Sequence, residues 1–227
     1  MTDFWHLKDL DWLDELSFEE REILRARSFR RRYGVGETVF TPTPNPDSVF
    51  LLESGLVRIY RLSENGLETS LGYVKAGEVF GELAVFGDYP RESFAQAADE
   101  SLVWKIPRRN FQPIVASHPA LAFEVSKQIG GRLKRIESRV ESLVFRDVKS
   151  RLILILLELA HHFGQTRQDG SVLLDLHITQ AELATLVGST RQSVNAGLSE
   201  LGDQGLLRRE GRSIVILKQD ELRQEIR

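Results

Sequence analysis

The 227-residue sequence contains no cysteine. Disulfide bonds, thiolate zinc sites, cysteine-ligated iron–sulfur clusters and cysteine nucleophiles are therefore excluded. Long apolar runs are also missing: the longest, Leu152 to Leu157, is far shorter than the roughly 18 residues that suggest a membrane span. Residues 1–11 are acidic and aromatic, which is not the pattern of a signal peptide. We therefore expect a cytoplasmic protein that does not enter the membrane.

The histidines and the charge balance limit the function further. His6, His118, His161, His162 and His177 form no evident set of ligands, so we predict neither a metal site nor haem. A net charge of −3 gives no general attraction to nucleic acid. A nucleic-acid partner would thus depend on where individual basic residues lie. Because no pair of catalytic groups or phosphate-binding loop stands out, we do not expect an enzyme.

The N-terminal half has the pattern of a β-sheet domain. Ser17-Phe18-Glu19-Glu20 is a capping box, which predicts the start of a helix. From about Tyr33 to Pro107, short β-rich runs such as Val49–Leu52 and Leu102–Ile106 alternate with glycine-containing turns. Many short strands at this spacing predict a barrel or jelly roll. We assign the N-terminal helix and this β-sheet domain to residues 1–118.

A long helix is predicted for residues 119–145. Its apolar residues recur at steps of three and four and leave a narrow stripe flanked by charged residues, which is typical of a coiled coil. A long helix with so narrow a stripe more often meets a partner helix than its own domain, so we predict a homodimer. The predicted dimer interface consists of Leu121, Val125, Ile129, Leu133, Ile136, Val140 and Leu143.

A further domain is predicted at residues 146–227. Val148 to Phe163 has the pattern of a buried helix, and Val172 to Leu176 that of a strand. Thr179, with Glu182 three residues later, predicts the capped start of the first of two short amphipathic helices.

The join between those two helices has the features of a DNA-binding turn. Gly188 permits the left-handed backbone that a tight turn needs, and either Ser189 or Thr190 would cap the second helix. A basic hairpin around Glu210-Gly211-Arg212 follows. Together these elements predict a winged helix-turn-helix, which lays its second helix in the DNA major groove.

The exposed face of the second helix carries side chains suited to DNA. Arg191 can bind guanine O6 and N7, and Gln192 and Asn195 can bind adenine N6 and N7. Hydroxyl groups, helix N-terminal amides and a wing arginine can hold phosphates. We predict backbone contacts from Thr179, Ser189, Thr190, Ser193 and Arg212.

Several motifs link the whole chain to one family. They are Asp47 to Val57, Gly77 to Ala84, Phe145-Arg146-Asp147-Val148 and residues 179–201. With these motifs the chain resembles the cAMP receptor protein/FNR family of bacterial transcription regulators. The resemblance implies an α+β fold: a cyclic-nucleotide-binding-type β-roll (jelly roll), a long coiled-coil dimerisation helix and a C-terminal winged helix-turn-helix. It also implies double-stranded DNA with a palindromic operator, a second copy of the chain and RNA polymerase as partners.

The resemblance implies an effector pocket at Gly81, Glu82, Leu83, Arg91 and Ser93. In members that bind cAMP, the glutamate of a Gly-Glu-Leu segment meets the ribose 2′-hydroxyl, and an Arg-Ser pair holds the cyclic phosphate. An ungapped alignment places Glu92, a carboxylate that would repel the phosphate, beside Ser93. Arg91 could substitute only if the loop slipped by one residue.

The long helix also departs from the cAMP-binding pattern. Ile136 and Glu137 stand where cAMP-binding members have Thr and Ser, and Ser138 is one place away, which is about 100° on a helix. We therefore expect a regulator that is not a typical cAMP responder, with Glu82 capping the short helical turn near Leu83 to Val85. Regulation through abundance, without a ligand, fits equally well. The alternative is a cAMP-dependent regulator that uses Glu82, Arg91 and Ser93.

The recognition helix differs from the pattern of the best-known cAMP-dependent member. That pattern presents Arg, Glu and a further Arg, whereas this chain has Arg191, Gln192 and Ala196. We expect a two-fold symmetric operator with a different half-site sequence and half-sites about one helical turn apart. A ligand-sensing module whose C-terminal domain binds proteins is the alternative from another class.

Overall fold

The computed structural model describes residues 17–87, 89–176, 178–211 and 213–226. These residues form two compact units. The first contains the described residues up to Leu62 together with Leu71–Lys134, and the second contains Ser63–Ser70 together with the described residues from Arg135 onward.

The strands of the first unit build a roll. In chain order the helices and strands up to Ser117 are α1 (Phe18–Arg27), β1 (Phe29–Tyr33), β2 (Thr38–Phe40), β3 (Ser48–Ser54), β4 (Leu56–Leu62), β5 (Glu68–Lys75), β6 (Val79–Phe80), α2 (Leu83–Phe86), β7 (Phe94–Ala97), β8 (Ser101–Pro107) and α3 (Arg108–Ser117). The strands form two four-stranded sheets, with orders β1-β8-β3-β6 and β2-β7-β4-β5. This is the predicted jelly roll, and α1 begins with the predicted capping box at Ser17.

Two apolar clusters hold this unit together. One lies inside the roll and includes Phe40, Phe50 and Phe80, whose neighbouring ring centroids are 5.1 to 5.9 Å apart. The other lies where α1 and α3 pack on the roll, and Phe111 of α3 is fully buried there. Burial of such large side chains is the main favourable term in folding.

The long helix, α4 (Pro119–Phe145), has the predicted bounds and a length of about 40 Å at 1.5 Å per residue. Its apolar stripe does not have one role throughout. Leu121 and Val125 are 0 % and 4 % exposed because they pack in the cluster with α1 and α3, and Ile129 packs against it. The prediction that Leu121 and Val125 face a partner helix is therefore wrong: they belong to the core of their own chain.

The second unit contains the remaining elements. They are α5 (Val148–Phe163), β9 (Gln165–Thr166), β10 (Val172–Leu174), α6 (Gln180–Val187), α7 (Arg191–Asp203), β11 (Leu207–Glu210), β12 (Ser213–Ile216) and α8 (Gln219–Gln224). The sheet order is β11-β12-β10-β9. Helix α5 has the predicted bounds, and β10 ends two residues before the predicted Leu176. The helix pair α6–α7, with the β11–β12 hairpin as its wing, confirms the winged helix-turn-helix.

No helix in the described ranges is both long enough and apolar enough to cross a bilayer.

Candidate nucleic-acid interface and effector pocket

The turn between α6 and α7 is closed by backbone hydrogen bonds. Gly188 has φ 66° and ψ 46°, the left-handed conformation that favours glycine. Its amide donates to Thr185 O at 3.3 Å, and the Ser189 amide donates to Ala184 O at 3.0 Å. This is the Schellman motif, which ends α6 and redirects the chain into α7. Because the Ser189 amide belongs to that motif, Ser189 closes the turn and does not cap α7.

Both helices of the pair begin with side-chain caps. At the start of α6, the Thr179 hydroxyl accepts from the Glu182 amide at 3.1 Å, and the Glu182 carboxylate accepts from the Thr179 amide at 2.7 Å. At the start of α7, the Thr190 hydroxyl accepts from the Ser193 amide at 3.1 Å. The hydroxyl oxygens of Thr190 and Ser193 also lie 2.9 Å apart. Thr190 is thus the cap, and it holds Ser193, the other residue predicted to bind phosphate, beside it.

The predicted base-reading residues share the start of α7. Arg191 and Gln192 are exposed, and Asn195 is half-buried one turn further on. Arg191 Nε donates to Gln180 Oε1 at 3.2 Å, which links the start of α7 to the start of α6. Val194 and Leu198, on the opposite face, are buried. One face of α7 is therefore fixed in the core while polar side chains project from the other.

The wing carries a charged cluster. The Glu210 carboxylate accepts from Arg167 at 2.7 and 3.1 Å and from Arg208. These hydrogen bonds lower the pKa of Glu210 to about 2. On the neighbouring position of β11, Arg209 Nη2 donates to Asn195 Oδ1 at 3.3 Å. Since successive strand residues point to opposite faces, Arg208 pairs within the wing and Arg209 turns toward α7. Arg212, predicted to contact the DNA backbone, lies outside the described residues.

Two basic residues near the start of helix α5 bind the helix-turn-helix. Lys149 Nζ donates to Glu200 Oε1 of α7 at 2.8 Å and to Glu225 Oε2 at 2.7 Å, and these bonds raise the pKa of Lys149. Arg151 donates to the carbonyls of Val187 and Gly188 at 2.9 and 3.2 Å. The orphan carbonyls at the end of α6 are thereby satisfied.

The end of α4 presents an apolar surface. In contrast to Leu121 and Val125 in the first two turns, Leu133 is 55 % exposed and Val140 is 56 % exposed. Ile136 and Leu143 are exposed as well. These four residues recur every three or four positions along the helix, so they lie on one side of it.

In the roll, three of the predicted pocket residues lie close together: Arg91 is beside Gly81 and Glu82. The Arg91 guanidinium is buried, with its carbon 4.3 Å from the Phe40 ring centroid and 5.2 Å from that of Phe50. Its Nη2 donates to Ser48 O at 2.6 Å and to Gly81 O at 3.1 Å. A Cβ at Gly81 would lie 3.0 Å from this nitrogen, so glycine lets the guanidinium approach the backbone.

The buried guanidinium is not fully satisfied. Within the described part of the chain, Arg91 Nε is enclosed and has no hydrogen-bond partner. Desolvation lowers the pKa of Arg91, opposed by the negative charges of Asp47 and Glu82. A cation held here with spare donor capacity can bind an anion.

Glu92 does not have the role expected from the ungapped alignment. Its side chain is exposed and pairs with Arg61. Arg91, not Glu92, lies in the roll, and Ser93 is half-buried two residues later. The expectation that the carboxylate of Glu92 lies in the pocket is therefore wrong.

Glu82 does not cap the short helix α2. Its backbone is helical, and its side chain makes no cap hydrogen bond, whereas Leu83 is exposed at the start of α2. Instead, Glu82 Oε1 accepts from Arg132 Nη1 of α4 at 2.9 Å. Arg132 also donates to Val79 O, and Gln128 Oε1 accepts from the Val79 amide at 2.9 Å. The expected cap is thus corrected to an ion pair that holds the Gly81-Glu82 segment against α4.

Arg132 and Arg151 were missed in the sequence. Their partners include backbone carbonyls. Because every residue has a carbonyl group, such partners cannot be predicted from the pattern of side chains. One signal was available for Arg151. With Lys149 it places two cations near the N-terminus of α5, where the helix dipole disfavours positive charge. Cations in that position need other partners.

Comparisons with known proteins agree with this geometry. The family model "Cyclic nucleotide-binding domain" matches residues 30–118, and "Crp-like helix-turn-helix domain" matches residues 150–225. A CRP-like cAMP-activated global transcriptional regulator of Mycobacterium tuberculosis is 32% identical, covering 85% of both chains. The anaerobic regulatory protein of Bacillus subtilis is 28% identical, covering 94% of this chain and 90% of its own.

Solved structures give the same result. A CooA variant from Carboxydothermus hydrogenoformans has a TM-score of 0.76 at 27% identity, covering 95% of this chain and 94% of its own. The c-di-GMP responsive global regulator CLP of Xanthomonas campestris has a TM-score of 0.73 at 26% identity, covering 88% of this chain and 99% of its own. The two domain matches, in this order and on this fold, show that the chain belongs to the CRP/FNR family of bacterial transcription regulators.

Proposed function

We propose that this DNA-binding regulator acts as a homodimer on a two-fold symmetric operator. The observation that carries the proposal is the polar start of α7, where Arg191 and Gln192 project from a helix whose other face is buried. A helix presented in this way can enter the major groove with its N-terminal residues on the bases. RNA polymerase is its expected partner at promoters, and the bacterial cytoplasm is its site of action.

Each reading residue has a distinct preference. Arg191 would bind guanine O6 and N7, while Gln192 and Asn195 would bind adenine N6 and N7. Thr179, Ser189, Thr190, Ser193 and Arg212 would hold the phosphate backbone on either side.

The dimer is supported by the exposed apolar surface of α4. Leu133, Ile136, Val140 and Leu143 would pack against the same residues of a second copy. A two-fold axis along these helices makes the two reading helices equivalent, so that they would meet a palindrome.

Selection of bound sequences from random duplexes tests the proposal. We expect a palindromic motif from the purified full-length chain, and Arg191→Ala should cost about 1–3 kcal/mol and relax one position of each half-site. Gln204→Ala, at the exposed residue that follows the last residue of α7, is the matched control and should leave the motif unchanged. Recovery of no motif, with or without cyclic nucleotides, would contradict the proposal and favour a protein-interaction domain.

A second candidate function is control by a cyclic nucleotide bound in the roll. The buried Arg91, with its unpartnered Nε, fits the negative charge of a cyclic phosphate. Glu82 and Ser93 would complete the polar contacts, by resemblance to members that bind cAMP. When bound, such a nucleotide would supply a single negative charge to the interior of the roll. Ile136 and Glu137, which replace the adenine-contacting Thr and Ser, favour a base other than adenine.

Calorimetry with cAMP and cGMP tests this second function. We expect binding by the full-length chain and a loss of at least about tenfold in affinity for Arg91→Lys, because one ammonium cannot reproduce the guanidinium fork. Glu92→Gln, on the adjacent exposed side chain, should bind as the wild type does. Thermal unfolding of both variants checks that the roll is intact. Equal affinities in Arg91→Lys and the wild type would overturn the assignment of Arg91.

A further inference from the structure

One arginine connects the long helix to the turn of the helix-turn-helix. Arg151 Nη1 donates to Arg146 O at 2.9 Å, and Arg146 directly follows the last residue of α4. The same guanidinium donates through Nε to Val187 O at 2.9 Å and through Nη2 to Gly188 O at 3.2 Å. All three hydrogen bonds lie within the second unit. The end of α4 and the turn before α7 are therefore held by a single rigid group.

An apolar contact connects the same two places. A Cβ on Gly188 would lie 2.6 Å from Leu143 Cδ2, so the Leu143 methyl group rests against the turn glycine. Leu143 belongs to the last turn of α4. This contact uses different atoms from the Arg151 hydrogen bonds, and it gives independent support for a fixed join between α4 and the turn.

The start of α5 also binds the recognition helix α7 near its C-terminal end. Lys149, two residues before Arg151, binds Glu200 near the end of α7 at 2.8 Å. Only Arg146 and Asp147 separate α4 from α5, and Asp147 caps α5 through the Ser150 amide at 2.7 Å. The first turn of α5 thus binds the turn that precedes α7 and a residue near the end of α7, next to a linker of two residues.

The chemistry of arginine suits a residue that binds several backbone carbonyls at once. Its guanidinium is planar and directs several donors at fixed angles, whereas lysine offers a single charged nitrogen on a flexible stem. Three carbonyls bound by one such plane cannot move independently of one another. Bonds of this kind, from a charged donor, are also stronger than those between neutral groups.

We propose that Arg151 is a positioning residue that fixes the direction of the recognition helix relative to the end of the dimerisation helix, and thereby sets the half-site spacing that the dimer accepts. The inference rests on the proposed homodimer and palindromic operator. In a dimer, α4 of each copy fixes the position of one turn. A rigid join then gives one separation between the two reading helices, and a loose join gives a range.

Operators of altered spacing test this proposal. The duplexes are the selected palindrome, the same palindrome with one base pair inserted or removed at its centre, and an isolated half-site. One base pair shifts a half-site by about 3.4 Å and rotates it by about 35°. Affinities are measured for full-length wild type, Arg151→Met, Arg151→Lys and the control Arg146→Met, which removes the same charge from an exposed side chain. Thermal unfolding checks that each variant is folded.

The wild type should prefer the correct spacing, and this preference should fall by about tenfold in Arg151→Met, the factor for one charged hydrogen bond of about 1.5 kcal/mol. The preference of Arg151→Lys for the correct spacing should lie between those of the wild type and Arg151→Met. Arg146→Met should keep the wild-type preference. A carbonyl cap without a positioning role would instead weaken binding to every duplex by the same factor, and that result would overturn the inference. A wild type that binds palindrome and half-site alike would count against the proposed dimeric function itself.

Discussion

Arg209 Nη2 of the wing donates a hydrogen bond to Asn195 Oδ1 of the recognition helix at 3.3 Å. The wing therefore contacts a predicted base-reading side chain directly, in addition to any contact with the DNA backbone. The bond uses Oδ1 as its acceptor and thereby fixes which way the amide points. Both side chains reach the surface, so the pair contributes little to folding and its effect should be seen in DNA binding.

Loss of either partner should relax the same base position. We predict that Asn195→Ala costs about 1–3 kcal/mol of binding free energy and that Arg209→Ala reduces discrimination at the position that Asn195 reads. The double variant should lose less than the sum of the single losses, because contacting residues are coupled. Arg208→Ala, on the other face of β11, is the control and should weaken binding to all sequences alike. Additive losses in the double-mutant cycle would show that the two side chains act separately.

The wing should respond to acid at an unusually low pH. Hydrogen bonds from Arg167 and Arg208 lower the pKa of Glu210 from its ordinary 4.5 to about 2. The ionised carboxylate is favoured by folding, so its contribution to stability is complete above pH 4.5 and is lost as the pH falls toward 2. Carboxyl chemical shifts of Glu210 should report a midpoint near the lower value. In Glu210→Gln this pH-dependent contribution should be absent, whereas a midpoint near 4.5 in the wild type would show that the pairs do not form in solution.

The two ends of α4 should respond differently to substitution. Val140→Glu places a charge on the exposed apolar surface of α4, so we predict a folded monomer with a Tm close to that of the wild type. Leu121→Ala removes a fully buried side chain and should cost about 2–5 kcal/mol of unfolding free energy without changing the oligomeric state. Sedimentation and urea unfolding separate the two outcomes. A dimeric Val140→Glu variant would place the contact between copies elsewhere.

The difference in burial between the two ends of α4 could not be predicted from the sequence. The spacing of the apolar residues predicted the bounds of this helix, Pro119–Phe145, but not which of those residues are buried in their own chain. Leu121 and Leu133 are the same residue type in the same pattern, and only the docking of α1 and α3 decides that the first is core. That docking is tertiary, so no local pattern contains it.

The roll shows the same limit for charged residues. Arg91 and Glu92 are adjacent, and the alternation of side chains along an extended chain sends one inward and one outward. Which one points inward depends on the pairing of Arg91 with Thr43, a contact between residues far apart in sequence. The turn at Gly188 could be predicted because its left-handed backbone is a local demand that glycine meets.

The ion pair between Arg132 and Glu82 should be a major stabilising contact of the first unit. The Glu82 side chain is almost fully buried and accepts from Arg132 at 2.9 Å, so removal of the arginine leaves an uncompensated buried charge. We predict that Arg132→Met lowers the unfolding free energy by about 3–5 kcal/mol, and that adding Glu82→Gln restores part of the loss by removing that charge. Arg61→Met, which breaks the exposed pair with Glu92, is the matched control and should cost less than about 1 kcal/mol. Urea unfolding of the wild type and the three variants measures these differences, and equal losses in Arg132→Met and Arg61→Met would show that the buried pair has no special weight.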